Sequence, residues 1–264
     1  MKVGFIGCGN MGGALARAIS QVSQTNIYLF DTNSEKRDAL AKEIGAEITS
    51  AEYIAKECDF IFMAVKPAII RSVISELLAP FSENKKATVV SMAAGVKIEV
   101  IEGTLPSGTP VIRIMPNTSV AIGRGVTAYA KNSFVTEKTE SDFLAIMAKT
   151  GLVDSIPEEL IDAESALAGS GPAFVYMFLD ALASGAVKAG LPSEKAILYA
   201  AKTLEGAAAT FLASGKTPSE LCRAVCSPGG STIEGVKVLT DNNLTATVES
   251  AIMATYNKAK RLGS

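Results

Sequence analysis

Two stretches of this chain combine residue types and spacing suited to chemistry: Gly7-Cys8-Gly9-Asn10-Met11-Gly12 and Ser227-Pro228-Gly229-Gly230-Ser231-Thr232. The first follows an apolar run, Val3 to Ile6, and opens a helical segment. Three glycines in that setting suit a pyrophosphate. The first allows a tight turn, the second lets backbone approach the anion, and the third closes helix on strand, with amides at the helix N-terminus facing the phosphates. Asp31 ends the next apolar run, about 20 residues on, where a carboxylate accepts hydrogen bonds from a ribose and repels a 2′-phosphate. Asn33, Ser34, Lys36 and Arg37 follow directly, and such donors and cations suit a 2′-phosphate instead. NADH and NADPH both stay open as cofactor.

In the second stretch, Ser231 and Glu234 have the spacing of a capping box, so Pro228-Gly229-Gly230 is expected to deliver the chain into a helix N-terminus. The amides of Gly230, Ser231 and Thr232 would there present the positive end of a helix dipole, with the hydroxyls of Ser227 and Thr232 beside them. A small carboxylate fits such a tip, and a plain Pro-Gly-Gly connector uses the same residues. Ala64-Val65-Lys66-Pro67 and Ser91-Met92-Ala93-Ala94-Gly95 end further apolar runs, where open α/β sheets bind their ligands. Small residues at Ala93, Ala94 and Gly95 allow a ring to lie against backbone. Asn117, after Arg113-Ile114-Met115-Pro116, suits either a hydrogen bond to substrate or carboxamide, or a turn closing a strand.

The chain contains no histidine, which removes the commonest general acid/base and metal ligand. Cys8, Cys58, Cys222 and Cys226 are too scattered for a disulfide framework and lack the paired spacing of a zinc site. They are read as reduced thiols, and no metal is expected.

The elements that position these residues follow from periodicity. Val3 to Ile6, Ile27 to Phe30, Phe60 to Val65, Thr88 to Met92 and Val111 to Ile114 are short apolar runs, each followed by an amphipathic stretch. This pattern predicts an α/β fold with a doubly wound parallel sheet. Met11 to Ser23 has the spacing of the first crossover helix, and Thr32-Asn33-Ser34-Glu35 that of a capping box. Beyond Pro157 the sequence turns Ala- and Leu-rich. Gly190-Leu191-Pro192-Ser193 is expected to end one helix and cap the next, Thr217-Pro218-Ser219-Glu220 to start another, and Leu244 to Leu262 to form the last. The expected division is a dinucleotide-binding domain over 1–160 and an all-helical domain over 161–264.

Among 264 residues, 48% are hydrophobic and the net charge is −2, so the chain has a core to bury and no field to concentrate nucleic acid or anionic membrane. The longest charge-free run, Ser165 to Leu179, spans 15 residues and contains Gly-Ser-Gly-Pro, short of the roughly 20 of a membrane span. The N-terminus lacks the pattern of a secretory leader. A cytoplasmic protein is expected, with the apolar helical domain covered by a partner subunit.

Val3-Gly4-Phe5-Ile6-Gly7-Cys8-Gly9-Asn10-Met11-Gly12, Ala64-Val65-Lys66-Pro67, Ala93-Ala94-Gly95-Val96, Met115-Pro116-Asn117-Thr118, Gly169-Ser170-Gly171-Pro172-Ala173 and Ser227-Pro228-Gly229-Gly230-Ser231-Thr232 occur here in one order. In that order the chain resembles the pyrroline-5-carboxylate reductases over nearly its whole length. The resemblance implies reduction of Δ1-pyrroline-5-carboxylate to L-proline by NADPH or NADH, the last step of proline biosynthesis. It also implies a Rossmann domain, and a helical domain that intertwines into homodimers and assembles further into a larger homo-oligomer. By matching position it gives Thr232 the imine nitrogen, and Ser227 with the amides of Gly230, Ser231 and Thr232 the carboxylate; Gly229 completes that loop. Ser119, where proline usually follows Asn-Thr, and Thr240, where an acidic residue is common, depart from the family pattern. Two other readings are a β-hydroxyacid dehydrogenase using Lys188 as acid, and a nucleotide-binding sensor without catalysis.

Overall fold

The computed structural model describes residues 1–262. The contacts divide the chain into two compact units, Met1–Ser170 with the chain from Thr255 onward, and Gly171–Ala254. Residues just beyond 160 pack with the first unit because Ile161 and Ala166 are fully buried there.

The first unit is built on an eight-stranded sheet among the described residues: β1 (Lys2–Ile6), β2 (Asn26–Phe30), β3 (Glu47–Ile48), β4 (Phe60–Met63), β5 (Thr88–Ser91), β6 (Val111–Pro116), β7 (Gly125–Lys131) and β8 (Gly151–Ser155). Their order is β3-β2-β1-β4-β5-β6-β7-β8. The direction of winding therefore reverses between β1 and β4, which opens a crevice at their carboxyl ends. The parallel sheet read from the sequence needs one correction, since β7 runs antiparallel to β6. Gly123 (φ +70) ends the short turn before β7, so the chain doubles back without a crossover helix.

The helices of this unit are α1 (Asn10–Ser20), α2 (Ser34–Ile44), α3 (Ala51–Glu57), α4 (Ile70–Glu76), α5 (Leu78–Glu83), α6 (Ile98–Glu102), α7 (Glu137–Ile146) and α8 (Ile161–Glu164). They cover both faces. Val3, Phe5, Phe60 and Phe62 belong to one buried cluster, and Ile6, Ile61 and Met63 to another. Alternate side chains of each strand thus enter different cores. The Phe5 and Phe62 rings stack with centroids 4.7 Å apart across the β1–β4 pair. Buried Arg113 on β6 pairs with Glu158 at 3.0 Å and Asp162 at 3.2 Å, holding the segment after β8 to the sheet.

Two boundaries differ from the sequence reading. α1 stops at Ser20 rather than Ser23, with the Gln21 and Val22 amides bonded three residues back to Ala18 and Ile19. α2 is capped by Asn33, whose side chain accepts the Lys36 amide, and not by a Thr32–Glu35 box. The Asp31 carboxylate takes the Asn33 amide and so fixes the turn one residue later.

The second unit holds α9 (Gly171–Lys188), α10 (Ser193–Ser214), α11 (Pro218–Val225), α12 (Ser231–Asp241) and the start of α13 (Leu244–Leu262). α9 and α10 pack on each other through buried Ala183, Ala196 and Ala200. α9 ends in a Schellman arrangement: Gly190 (φ +101) donates to Val187 O and Leu191 to Ala186 O. Ser193 does not cap α10 but is its first residue, after Pro192. The Thr217 box is present. Thr217 Oγ1 accepts the Glu220 amide, the Glu220 carboxylate accepts the Thr217 amide, and Pro218 starts the helix.

Candidate active site

The glycine turn lies at the winding reversal, between β1 and α1. Gly7 has φ +109, and a Cβ there would stand 2.4 Å from the Ala64 carbonyl oxygen. A Cβ on Gly12 would stand 2.4 Å from Gly7 O and 2.7 Å from Ala64 Cβ. These two glycines serve close packing of α1 on β1 and on the end of β4. Gly9 differs, for a Cβ there would meet nothing within 4 Å. Gly9 is the N-cap of α1, without a side-chain cap and without acidic residues in the first turn. The amides of Asn10 and Met11 therefore open onto free space with the positive end of the helix dipole. Open room at Gly9 and uncapped amides fit a dinucleotide's pyrophosphate.

Asp31 is half-buried at the end of β2. One carboxylate oxygen accepts the Cys8 amide at 2.6 Å and the other the Asn33 amide at 2.7 Å. It thus joins the glycine turn to the loop before α2. Burial, then the Asp31 charge, pushes the Cys8 thiol up to about 12, so this thiol stays protonated. Asn33, Ser34 and Lys36 are exposed and Arg37 partly so.

β4 ends at Met63; Ala64 and Val65, expected within the strand, lie beyond it. Lys66 is extended (φ −61, ψ 144) and exposed before the short turn Pro67–Ile69, as a residue preceding proline should be. Ala93 is buried and Ala94 exposed at the mouth after β5, where Gly95 turns with φ +75.

Asn117 is buried after β6, its Nδ2 donating to Ala168 O at 3.0 Å and its Oδ1 accepting the Val126 amide at 3.3 Å. Of its two sequence readings, closing the strand is the one these bonds perform. Ala168 belongs to a widened π turn, Ser165–Gly169, closed by Ser170 N to Ser165 O. Periodicity carries no signal for such a turn. Beside it lies Glu164, which sequence reasoning also missed. Both its carboxylate oxygens are buried without a hydrogen-bond partner, and burial raises its pKa to about 7.

In the second unit, Ser227-Pro228-Gly229-Gly230 forms a tight turn, with Gly230 N donating to Ser227 O at 3.0 Å and Gly229 at φ +71. Proline second and left-handed glycine third is the type II pattern. The expected Ser231–Glu234 capping box is absent: Gly230 is the N-cap of α12 and no side chain caps it. The amides of the first turn are thereby left for a ligand. A Cβ on Gly230 would stand 2.5 Å from Ser227 Oγ, which places that hydroxyl at the helix tip. Ser231 and Thr232 are exposed in the first turn. Uncapped amides flanked by two hydroxyls make a tip that can hold a carboxylate and orient a neighbouring N–H. Lys188 is the exposed last residue of α9, the usual place for a cation at a helix C-terminus.

Residues 158–262 match the family described as pyrroline-5-carboxylate reductase dimerisation, and residues 2–95 that described as NADP oxidoreductase, coenzyme F420-dependent. The pyrroline-5-carboxylate reductase of Escherichia coli strain K12 is 38% identical, covering 99% of this chain and 98% of its own. Pyrroline-5-carboxylate reductase 3 of Danio rerio is 40% identical, covering 100% and 92%. Among solved structures, the NADP-bound pyrroline carboxylate reductase of Plasmodium falciparum superposes with a TM-score of 0.89 at 29% identity, covering 100% and 98%. That of Coxiella burnetii gives 0.89 at 33%, covering 99% and 98%. The chain belongs to the pyrroline-5-carboxylate reductase family.

Proposed function

We propose that this chain reduces Δ1-pyrroline-5-carboxylate to L-proline, the last step of proline biosynthesis, with NADPH as the preferred hydride donor. One observation carries the substrate assignment: the uncapped tip of α12, with Ser227 Oγ beside it and Thr232 in its first turn. The amides of Gly230, Ser231 and Thr232 with the Ser227 hydroxyl hold the carboxylate, and Thr232 Oγ1 accepts the N–H of the ring iminium. A cyclic imine takes its proton from water, so no strong enzymic acid is required and a chain without histidine suffices. Positioning is the remaining task. When bound, the reduced nicotinamide supplies the hydride. Gly9 and the amides of Asn10 and Met11 would face the cofactor's pyrophosphate, with Gly7 and Gly12 keeping α1 close enough to present them, while Ala64, Val65, Lys66, Pro67, Ala93 and Ala94 line the crevice. Asn117 supports that crevice through its bonds to Val126 and Ala168.

The preference for NADPH rests on Asn33, Ser34, Lys36 and Arg37, which follow Asp31 where a 2′-phosphate would be met. Asp31 accepts the Cys8 and Asn33 amides and so holds this loop in place, and its carboxylate keeps lone pairs for the ribose.

The helical unit forms a homodimer, and dimers assemble into a larger homo-oligomer. Glu158–Lys188 is long and apolar enough to cross a membrane by length and composition alone. Asp180 lies within it, and the stretch falls inside the dimerisation match over 158–262, so the exposed apolar side chains of α9 within it, such as Tyr176 and Met177, are assigned to subunit contact. Free cysteines suit the reducing cytoplasm.

Initial rates of NADPH consumption with pyrroline-5-carboxylate, with proline measured as product, test the reading. Thr232→Ala should lower kcat about tenfold, one hydrogen bond of about 1.4 kcal/mol, and leave the KM for NADPH unchanged. Equal turnover in the variant removes the role of Thr232.

A further inference from the structure

Cys222 and Cys226 have no part in the reaction above, yet they sit at the base of its substrate turn. Cys222 is exposed on α11; Cys226, partly exposed, is the residue after that helix and directly precedes Ser227. Helix geometry sets their Cα atoms about 6 Å apart, inside the range a disulfide bridges. Burial, then the neighbouring Cys222, raises the Cys226 pKa, in keeping with that proximity. A disulfide also needs the Cβ atoms closer than an ideal helix holds them. Cys226 has the freedom to supply it, since its backbone (φ −96, ψ 96) has left the helix and can adjust without breaking the interior of α11. The other two thiols offer no such chemistry, for Cys8 and Cys58 are buried, with burial pushing each up to about 12.

We propose that Cys222 and Cys226 form a reversible disulfide with low-molecular-weight disulfides as oxidant, and that this bond displaces the Ser227–Gly230 turn and lowers substrate affinity. The exposed Cys222 thiolate attacks one sulfur of oxidised glutathione, releasing one glutathione thiol. The Cys226 thiolate then attacks the Cys222 sulfur of the mixed disulfide and releases the second. Two protein thiols lose two electrons and two protons, and glutathione disulfide gains both. Closing the bond draws Cys226 toward α11. Ser227 is its neighbour in the chain, and Ser227 O accepts the Gly230 amide, so the hydroxyl at the tip of α12 moves with it. The effect on affinity rests on the assignment of this tip to the substrate carboxylate; the disulfide itself does not.

The cysteine pair can be tested separately from the activity. Trypsin cuts after Lys216, Arg223 and Lys237, separating Cys222 from Cys226. In full-length protein equilibrated with oxidised glutathione, peptides 217–223 and 224–237 should appear joined by a disulfide and part on reduction with dithiothreitol. The joined enzyme should show a KM for pyrroline-5-carboxylate about tenfold higher, restored by dithiothreitol. Cys222→Ser and Cys222→Ala, at an exposed position, should keep the reduced enzyme's rate and lose the oxidant response. Glutathione bound to Cys222 without joined peptides overturns the proposal, and so does a joined form with unchanged KM. If the reduced enzyme fails to turn over pyrroline-5-carboxylate, the assigned activity fails instead, while the peptide map still decides whether the thiols pair.

Discussion

Asp31 shows how one carboxylate changes meaning with its hydrogen bonds. By position it was legible in the sequence as a ribose ligand; by its bonds it ties Cys8 to Asn33, and nothing in residue spacing distinguishes the two. Asp31→Ala should therefore raise the KM for NADPH and NADH alike, about tenfold, because charge-assisted bonds that shape the loop are lost. Arg37→Ala should raise the KM for NADPH and leave that for NADH unchanged. Steady-state kinetics with each cofactor separates the two effects. Glu164 makes a prediction in pH. Its folded pKa of about 7 lies above the ordinary 4.5, so between these values the folded chain holds a proton that the unfolded chain has released. Stability falls as pH rises through that window and stays lower above it. Glu164→Gln should match the parent near pH 4 and exceed it near pH 8 by about 1–2 kcal/mol, the full shift being discounted because the residue is only half-buried. Urea midpoints at the two pH values measure the difference.

The glycine turn and the α12 tip were both legible as sequence motifs because glycine and proline restrict backbone locally. Which glycine does what was not legible, since that depends on neighbours distant in sequence. Gly12 faces Gly7 O and Ala64 Cβ, whereas Gly9 faces open space. Gly12→Ala should force α1 away from the sheet and lower thermal stability by about 2 kcal/mol. Gly9→Ala should leave the melting temperature within error and raise the KM for NADPH at least tenfold, by placing a methyl group where the phosphates approach. Equal loss of stability in both variants would contradict this division of roles. The strands missed by periodicity, β3, β7 and β8, are short or lie toward the sheet's edge. β8 has only Val153 partly buried among exposed residues, so the apolar alternation that marks a strand is missing there.

For the whole chain, the helical unit has too little core of its own. Ala183, Ala196 and Ala200 are its buried cluster, while Tyr176, Met177, Leu198 and Leu212 are more than half exposed. That imbalance was legible in composition, and a second copy of the chain resolves it. Met177, 73% exposed on α9, should tolerate a charge in an isolated subunit and not in an interface. Met177→Glu should shift sedimentation toward the monomer and reduce activity with it. The most direct test of the central claim is to compare kcat/KM for pyrroline-5-carboxylate with that for 1-pyrroline, the same ring without its acid group, at saturating NADPH. A carboxylate held by the α12 amides predicts a preference of about a hundredfold, about 3 kcal/mol. Equal kcat/KM for the two imines, or no NADPH consumed with pyrroline-5-carboxylate, would contradict it.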